Sequence, residues 1–387
     1  MEETLLLLPG PVTVAPEVLQ AAARPLIDHR GAAFAKLMRR ITSRLQPIFG
    51  TNGDVVMLGS SGTGAMEAAL VNVFSPGEVL LSCPVGVFGR RFAEIARAHG
   101  CRVEMLETPT GSAVDPSALA HRLEADVHRR IAGVLLTHNE TSTGVQNNLA
   151  ALSPAIRRHG ALTLVDSVSG LGATPMAMDE WGFDVVVSAS QKALAAPPGL
   201  AMVAFSRRAR RRFDTARSAR FSFDLARALK AAEDGQTPWT PPISIVYALH
   251  AALDRYVADG SDAAFERHAR YAAAVRAALE ALGFDLVSQP GAHSVTVVAA
   301  RPPRSVPAKE LQRQLRDRYR ISVGGGQEDL SGAIVRVGTM GAISEADLSG
   351  AICAIEFALR DLGAAVEAGS AIAAASQELR AAAPVAV

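Results

Sequence analysis

The sequence predicts an α/β fold, with a large domain on a mostly parallel seven-stranded sheet followed by a smaller α+β C-terminal domain. Two observations carry that expectation. Between about residues 50 and 205, short apolar runs alternate with amphipathic stretches, the pattern of βα units packed around a buried sheet. Near Pro238-Trp239-Thr240-Pro241-Pro242 the texture changes to long helical patterns and then to mixed runs. The division this suggests is an N-terminal segment over 1–15, a large domain over 16–242, an interdomain helix and small C-terminal domain over 243–363, and an alanine-rich tail over 364–387.

Taken in order, the apolar run 5–8 is halted by Pro9, and strands are expected at 55–58, 78–82, 102–106, 131–137, 161–166, 185–188 and 200–205. Each is a short apolar run bounded by turn residues. Helical patterns at 64–73, 89–99, 116–126 and 149–159 separate most of them, several opened by Pro, Ser or Gly. Two long helical patterns, 243–258 and 262–282, form the spacer. Beyond it come an apolar run at 294–299, a helix at 308–318, a glycine turn Gly324-Gly325-Gly326, a strand at 333–337 and a helix at 344–362. The tail reads as a surface helix or a partly disordered end.

Composition narrows the function. The chain has 387 residues, 49% hydrophobic and 20% charged, with a formal net charge of +1, so no global field draws nucleic acid or membranes. The basic run Arg207, Arg208, Arg210, Arg211, Arg212 lacks interleaved aromatics and reads as a solvated helix face. Cys83, Cys101 and Cys353 have neither disulfide-framework nor zinc-site spacing, which fits a reducing cytoplasmic setting with no metal. Glu2 and Glu3 stand where a signal peptide would be basic, so export is not expected. Of the 39 basic residues only Lys36, Lys192, Lys230 and Lys309 are lysine. A lysine inside a motif therefore asks for a chemical reason, and an amine, unlike guanidinium, can lose its proton and attack a carbonyl.

Asp166 closes the apolar run 161–166, at the strand edge where α/β sheets place ligand contacts, although an isolated aspartate there also caps turns. Lys192 follows 26 residues later in Ser190-Gln191-Lys192-Ala193, among small residues that offer no salt bridge. Lysine–carbonyl chemistry on a pyridine ring needs such a pair, an amine able to become neutral and an acid holding the ring nitrogen protonated. Either residue alone has a bland reading; together they point to that chemistry. Gly59-Ser60-Ser61-Gly62-Thr63-Gly64, between a strand and a helix, suits an anion on backbone N–H groups, or is a plain loop. The cluster Thr137-His138-Asn139-Glu140-Thr141-Ser142-Thr143-Gly144 lies at another strand edge. Phe88 is a ring platform or a core residue. Arg336 interrupts an apolar strand, where a bidentate grip on a carboxylate would offset its burial. Arg30 is a lesser candidate for that work or for a subunit contact.

The ordered set Pro9-Gly10-Pro11, Ser61-Gly62-Thr63, Glu140-Thr141-Ser142-Thr143-Gly144, Val165-Asp166-Ser167-Val168-Ser169, Ser190-Gln191-Lys192-Ala193-Leu194 and Arg336-Val337-Gly338 resembles the class V aminotransferases, in the serine/alanine–glyoxylate aminotransferase branch. The likeness runs from Leu5 to about Leu362. It implies a fold-type-I homodimer with pyridoxal 5'-phosphate at the subunit interface. By the same resemblance, Lys192 forms the Schiff base, Asp166 bonds the pyridinium nitrogen and Phe88 stacks on the ring. Ser61, Gly62 and Thr63 hold the phosphate with Gln191, Thr141 reaches the phenolic oxygen, and Arg336 clamps the substrate carboxylate beside the backbone of Gly10 and Pro11. Relatives also lend a Tyr-x-x-Thr pair to the neighbouring subunit's phosphate; Thr240 matches the threonine, but Thr237 stands at the tyrosine. The activity implied is ping-pong transfer of an amino group from serine or alanine to a 2-oxo acid, glyoxylate by resemblance. Alternatives on the same scaffold are a pyridoxamine or aminoethylphosphonate transaminase and a lyase or desulfurase; a desulfurase would want a cysteine in the loop 322–330, which has none. A non-catalytic binding protein is the rival from another class, and the Lys192/Asp166 pair speaks against it.

Overall fold

The computed structural model describes residues 4–380, so Glu2, Glu3 and the last seven residues of the tail lie outside the described residues. The seven expected apolar runs form one sheet, in the spatial order Asp54–Gly59, Leu200–Phe205, Val185–Ala189, Leu162–Asp166, Ile131–Thr137, Val79–Cys83, Arg102–Met105. All neighbours are parallel except Leu200–Phe205, which runs antiparallel to both of its partners. Burial on both faces explains why these strands read as near-continuous apolar runs rather than alternating ones. Two separate clusters of buried side chains cover the faces, one involving the helix Ala32–Phe49 and the other the helix Gly62–Val73.

A second sheet of five strands has the order Leu5–Leu7, Ile321–Gly325, Val335–Gly338, Val297–Arg301, Asp285–Leu286. Its first strand comes from the start of the chain: Leu5, Leu6 and Leu7 pair in parallel with Ile321, Ser322 and Val323. The glycines expected to form a turn are a correction. Gly324 and Gly325 belong to the strand Ile321–Gly325 and pair with Arg336 and Val335. Glycine is kept there by close packing, because a Cβ on Gly324 would lie 3.0 Å from Pro9 Cδ. The helices Ser261–Ala281, Ala308–Tyr319 and Glu345–Asp361 cover this sheet.

Two further expectations are refined. The tail forms the helix Ser370–Arg380, which packs on Ser261–Ala281 through Ala371 and Ala375. The buried carboxylate of Glu356 accepts the Gly369 N–H at 2.7 Å and the Ala371 N–H at 3.3 Å, giving that helix its cap. The basic run is less solvated than its composition suggests: Arg212 pairs with Glu78 at 2.6 Å and Arg208 with the buried Asp184 at 3.4 Å. These arginines tie sheet ends together, a role invisible in local sequence.

Candidate active site

The parallel strands deliver their carboxyl ends to one edge of the large sheet. There Ser61, Gly62, Thr63, Phe88, Thr141, Asp166, Gln191 and Lys192, drawn from separate stretches of the sequence, line one recess together with Met66, Arg91, Asn139, Val168 and Ser169. Ser61 is the N-cap of the helix Gly62–Val73 and its side chain makes no cap hydrogen bond, which leaves the first N–H groups of that helix for a ligand. Gly62 has no room for a side chain, since a Cβ would fall 2.7 Å from Val168 Cγ2.

Asp166 is buried, and its Oδ1 accepts the Val168 N–H at 2.9 Å. Burial pushes its carboxyl up to about 7; the nearby Glu140 charge adds to this, while the Val168 hydrogen bond and the Lys192 and Arg91 charges oppose it. Burial also pulls the Lys192 amine down to about 8, helped by the Arg336 and Arg91 guanidiniums and opposed by Asp166 and Glu140. Lys192 Nζ donates to the Pro9 carbonyl, and a Cβ on Gly10 would fall 2.6 Å from both Lys192 Cδ and Nζ. Gly10, at φ +110°, is therefore the residue that lets the N-terminal segment roof the lysine. Pro11 continues that segment.

Arg336, only 9% exposed, reaches toward the recess from the small sheet. Its Nε donates to Gly325 O at 2.6 Å and its Nη1 to Thr141 O at 3.0 Å and Gln327 Oε1 at 3.3 Å. Burial lowers its proton affinity, with Glu140 acting against that. Thr240 stands apart, lining a neighbouring cavity with Gly59, Ser222, Thr237 and Trp239. The Thr237 hydroxyl donates to Trp239 O at 2.7 Å within its own loop. Arg30 braces that loop, donating to Thr237 O at 2.6 Å, and does not line the recess.

Several residues carry roles that the sequence did not assign to them. Glu140 is fully buried and acts as an internal cap: Oε2 accepts the Phe88 and Gly89 N–H groups at 2.9 and 3.1 Å, and Oε1 accepts from Ser142 N and Oγ. It therefore fixes the start of the helix Val87–Ala98 and with it the Phe88 ring. Asn139 donates to Ser169 Oγ and Thr296 Oγ1, both at 2.8 Å. His138, held near 4 by burial, stays neutral against Ser167 Oγ at 2.9 Å. Arg91 lies over the Phe88 ring at 4.6 Å and stands 3.4 Å from Thr63 Oγ1.

These residues fit pyridoxal phosphate. The recess offers an amine of lowered basicity, a buried acid facing it, a ring platform and an open helix N-terminus. Two buried amide oxygens lining it, Asn139 Oδ1 and Gln191 Oε1, have no hydrogen-bond partner, as expected where a polar group is still to be bound. No cysteine lines the recess; Cys83 is buried with its thiol pushed up to about 12, and Cys353 sits half-buried in the helix Glu345–Asp361.

Comparison with known proteins gives consistent matches. The family description "Aminotransferase class-V" matches residues 17–344. The chain is similar to the soluble hydrogenase 42 kDa subunit of Anabaena cylindrica, with 38% identity over 94% of each chain. It is 35% identical to the L-aspartate–glyoxylate aminotransferase of Paracoccus denitrificans, over 96% of this chain and 95% of that one. Against the serine–glyoxylate aminotransferase of Arabidopsis thaliana the identity is 35%, over 97% and 95%. The crystal structure of an alanine–glyoxylate aminotransferase from Nostoc superposes with a TM-score of 0.89 at 33% identity, covering 93% of this chain and 96% of that one.

Proposed function

The chain belongs to the class V aminotransferases and works with pyridoxal phosphate, and on that premise we propose that it moves an amino group from a small amino acid, serine or alanine, to glyoxylate. What supports this reading is the meeting of Lys192 and Asp166 in one recess, with Arg336 donating to the carbonyl of Thr141, which lines it. The cofactor supplies a carbonyl that carries the amino group and a ring that accepts electrons. Lys192 would hold the cofactor through its ε-amine, and that amine when free would act as general base toward the substrate α-carbon proton and as general acid delivering it to a different carbon, so that the donor leaves as its 2-oxo acid. Before the cofactor binds, burial holds that amine at about 8 instead of 10.5, which raises its neutral fraction at physiological pH. Asp166 would keep the ring nitrogen protonated, and the pyridinium would offset the cost of burying its carboxylate. Phe88 supplies the ring platform, and Ser61, Gly62, Thr63 and Gln191 receive the phosphate. Thr141, which lines the recess, would reach the phenolic oxygen. Arg336, with the Gly10 and Pro11 backbone, holds the carboxylate that donor and acceptor share, so one clamp serves both half-reactions.

The large domain over 16–242 carries the cofactor and the small domain over 243–363 carries the clamp. The working form is a homodimer in which Thr240 reaches the partner's phosphate site, and the free cysteines suit the cytoplasm. No described helix is long and apolar enough to cross a membrane. A donor screen tests the reading: serine, alanine, aspartate and pyridoxamine are each offered to the cofactor-loaded protein, and loss of its visible absorbance is followed, then its return on adding glyoxylate. Serine or alanine as the fastest donor, with glycine as product and no ammonia or sulfide released, is the expected result. Preference for aspartate or pyridoxamine would overturn the donor assignment, and ammonia release would replace transamination by lyase chemistry. Light scattering at the mass of one chain would refute the dimer.

A further inference from the structure

We infer that Arg91 is the cation that neutralises the phosphate end of the recess, a role that rests on the cofactor reading above and on none of its substrate assignments. A phosphate monoester brings a charge of roughly −2 at neutral pH. The Ser61–Gly62–Thr63 turn meets it with neutral N–H and O–H donors, and a helix N-terminus adds only about half a positive charge. A partly buried dianion on that set alone remains undercompensated.

Among the described residues lining the recess, the positive charges are those of Arg91 and Lys192. Lys192 is committed at the other end, against Pro9 O and Gly10, where it must meet the carbonyl. Arg336 is not among the residues that line the recess, and its Nε and Nη1 donate to Gly325, Thr141 and Gln327. Arg91 is placed differently. It sits one turn after Phe88 in the helix Val87–Ala98, which packs against the helix Gly62–Val73. Its guanidinium spans from the Phe88 ring, at 4.6 Å, to Thr63 Oγ1, at 3.4 Å. It makes no ion pair within 4 Å with a described carboxylate, and its charge acts on Asp166 only through space. A planar fork at that place can grip two oxygens of an anion bound on the turn.

The alternative is that Arg91 merely steadies Phe88 through the cation–π contact. Two probes separate the roles: pyridoxal phosphate and pyridoxal, each titrated into the full-length apoprotein and read by visible absorbance. Arg91→Gln should weaken pyridoxal phosphate binding roughly tenfold to hundredfold, the range of a lost charge-assisted hydrogen bond. Pyridoxal affinity should fall by much less, because only the contact with the Phe88 ring is lost to that probe and the phosphate contact is absent from it. Arg91→Lys, which keeps the charge but not the fork, should restore part of the preference for the phosphorylated probe. Thermal melting of each apoprotein establishes that the variants fold. Equal losses for both probes would overturn the proposal in favour of a platform role, and unchanged binding of both would make Arg91 a spectator. Wild-type apoprotein that took up neither probe would instead bring down the cofactor reading and the proposal with it.

Discussion

Burial moves the two central ionisable groups in opposite directions. The Lys192 amine is lowered to about 8 and the Asp166 carboxyl raised to about 7, so each lies close to changing charge at physiological pH. For Asp166 the folded value lies above the ordinary 3.8, so the folded protein binds the extra proton between those values. Its stabilising contribution is complete below about pH 4 and is lost as pH rises toward 7. Asp166→Asn, neutral throughout, should therefore raise the melting temperature of the apoprotein by roughly a few degrees above pH 7 and converge with wild type near pH 4. The same variant should lose transaminase activity, since an amide does not keep the ring nitrogen protonated. A pH series of apoprotein melts checks the first effect; an apo-Asp166→Asn protein no more stable than wild type at pH 8 would contradict the buried charge. Arg336→Lys should raise KM for donor and acceptor alike by about tenfold or more with a smaller change in kcat, because one shared carboxylate contact is weakened. Lys192 was legible because lysine is rare in this chain. Arg91 was not, for the converse reason: arginine is the default basic residue here, so only its place over Phe88 distinguishes it.

At the level of elements, the Phe88 platform depends on the way the helix Val87–Ala98 begins. Its N-cap is Gly86, which has no side chain to offer, and Glu140 reaches from the strand pair Asn139–Glu140 and Val145–Gln146 to cap it instead. Both carboxylate oxygens are engaged, so Glu140→Gln places an NH2 group against N–H or O–H donors. The expected cost is about 2–3 kcal/mol in urea unfolding, with weaker cofactor uptake as the ring loses its position. Gly10→Ala should lower the melting temperature, because Ala is strained at φ +110°, and should also block the cofactor, because its Cβ would fall 2.6 Å from Lys192 Cδ and Nζ. The strands of the large sheet were legible to within a residue or so, since burial on both faces turns each into an apolar run. The strand Leu5–Leu7 was not: three residues carry no period, and the partner that makes them a strand, Ile321–Val323, comes from the far end of the sequence. The helix Ala32–Phe49 was not among the expected elements, although its buried residues Phe34, Met38, Ile41, Leu45 and Ile48 recur at helical spacing, with Pro47 interrupting the last turn. Glu140 lay in plain view inside a recognised motif; its capping role depends on a helix start about fifty residues earlier, which no local pattern joins to it.

For the whole molecule, the site is split between two sheets. Lys192 and Asp166 stand at the edge of the large one, while Arg336 and the Pro9-Gly10 roof belong to the small one or to the chain leaving its first strand. The strand Leu5–Leu7 ends in Leu7, fully buried in the small core, and the next residues pack so closely on Gly338 and Gly324 that neither position accommodates a side chain without displacement. Small-sheet integrity should therefore be transmitted to Lys192 through this segment. At another end of the same core, Glu356 caps the helix Ser370–Arg380 and touches nothing near the recess. Leu7→Ala and Glu356→Ala thus form a matched pair. Leu7→Ala should cost about 2–4 kcal/mol through its cavity. Glu356→Ala should cost about 1–3 kcal/mol through its unsatisfied N–H groups. Only Leu7→Ala should also weaken binding of pyridoxal phosphate, because only Leu7 lies on the path to Pro9 and Gly10. Urea unfolding gives the first quantity and titration of the apoprotein well below its unfolding midpoint gives the second. If both variants bound the cofactor like wild type, the small sheet would be a separately stable layer and the roof over Lys192 would be held by local contacts alone.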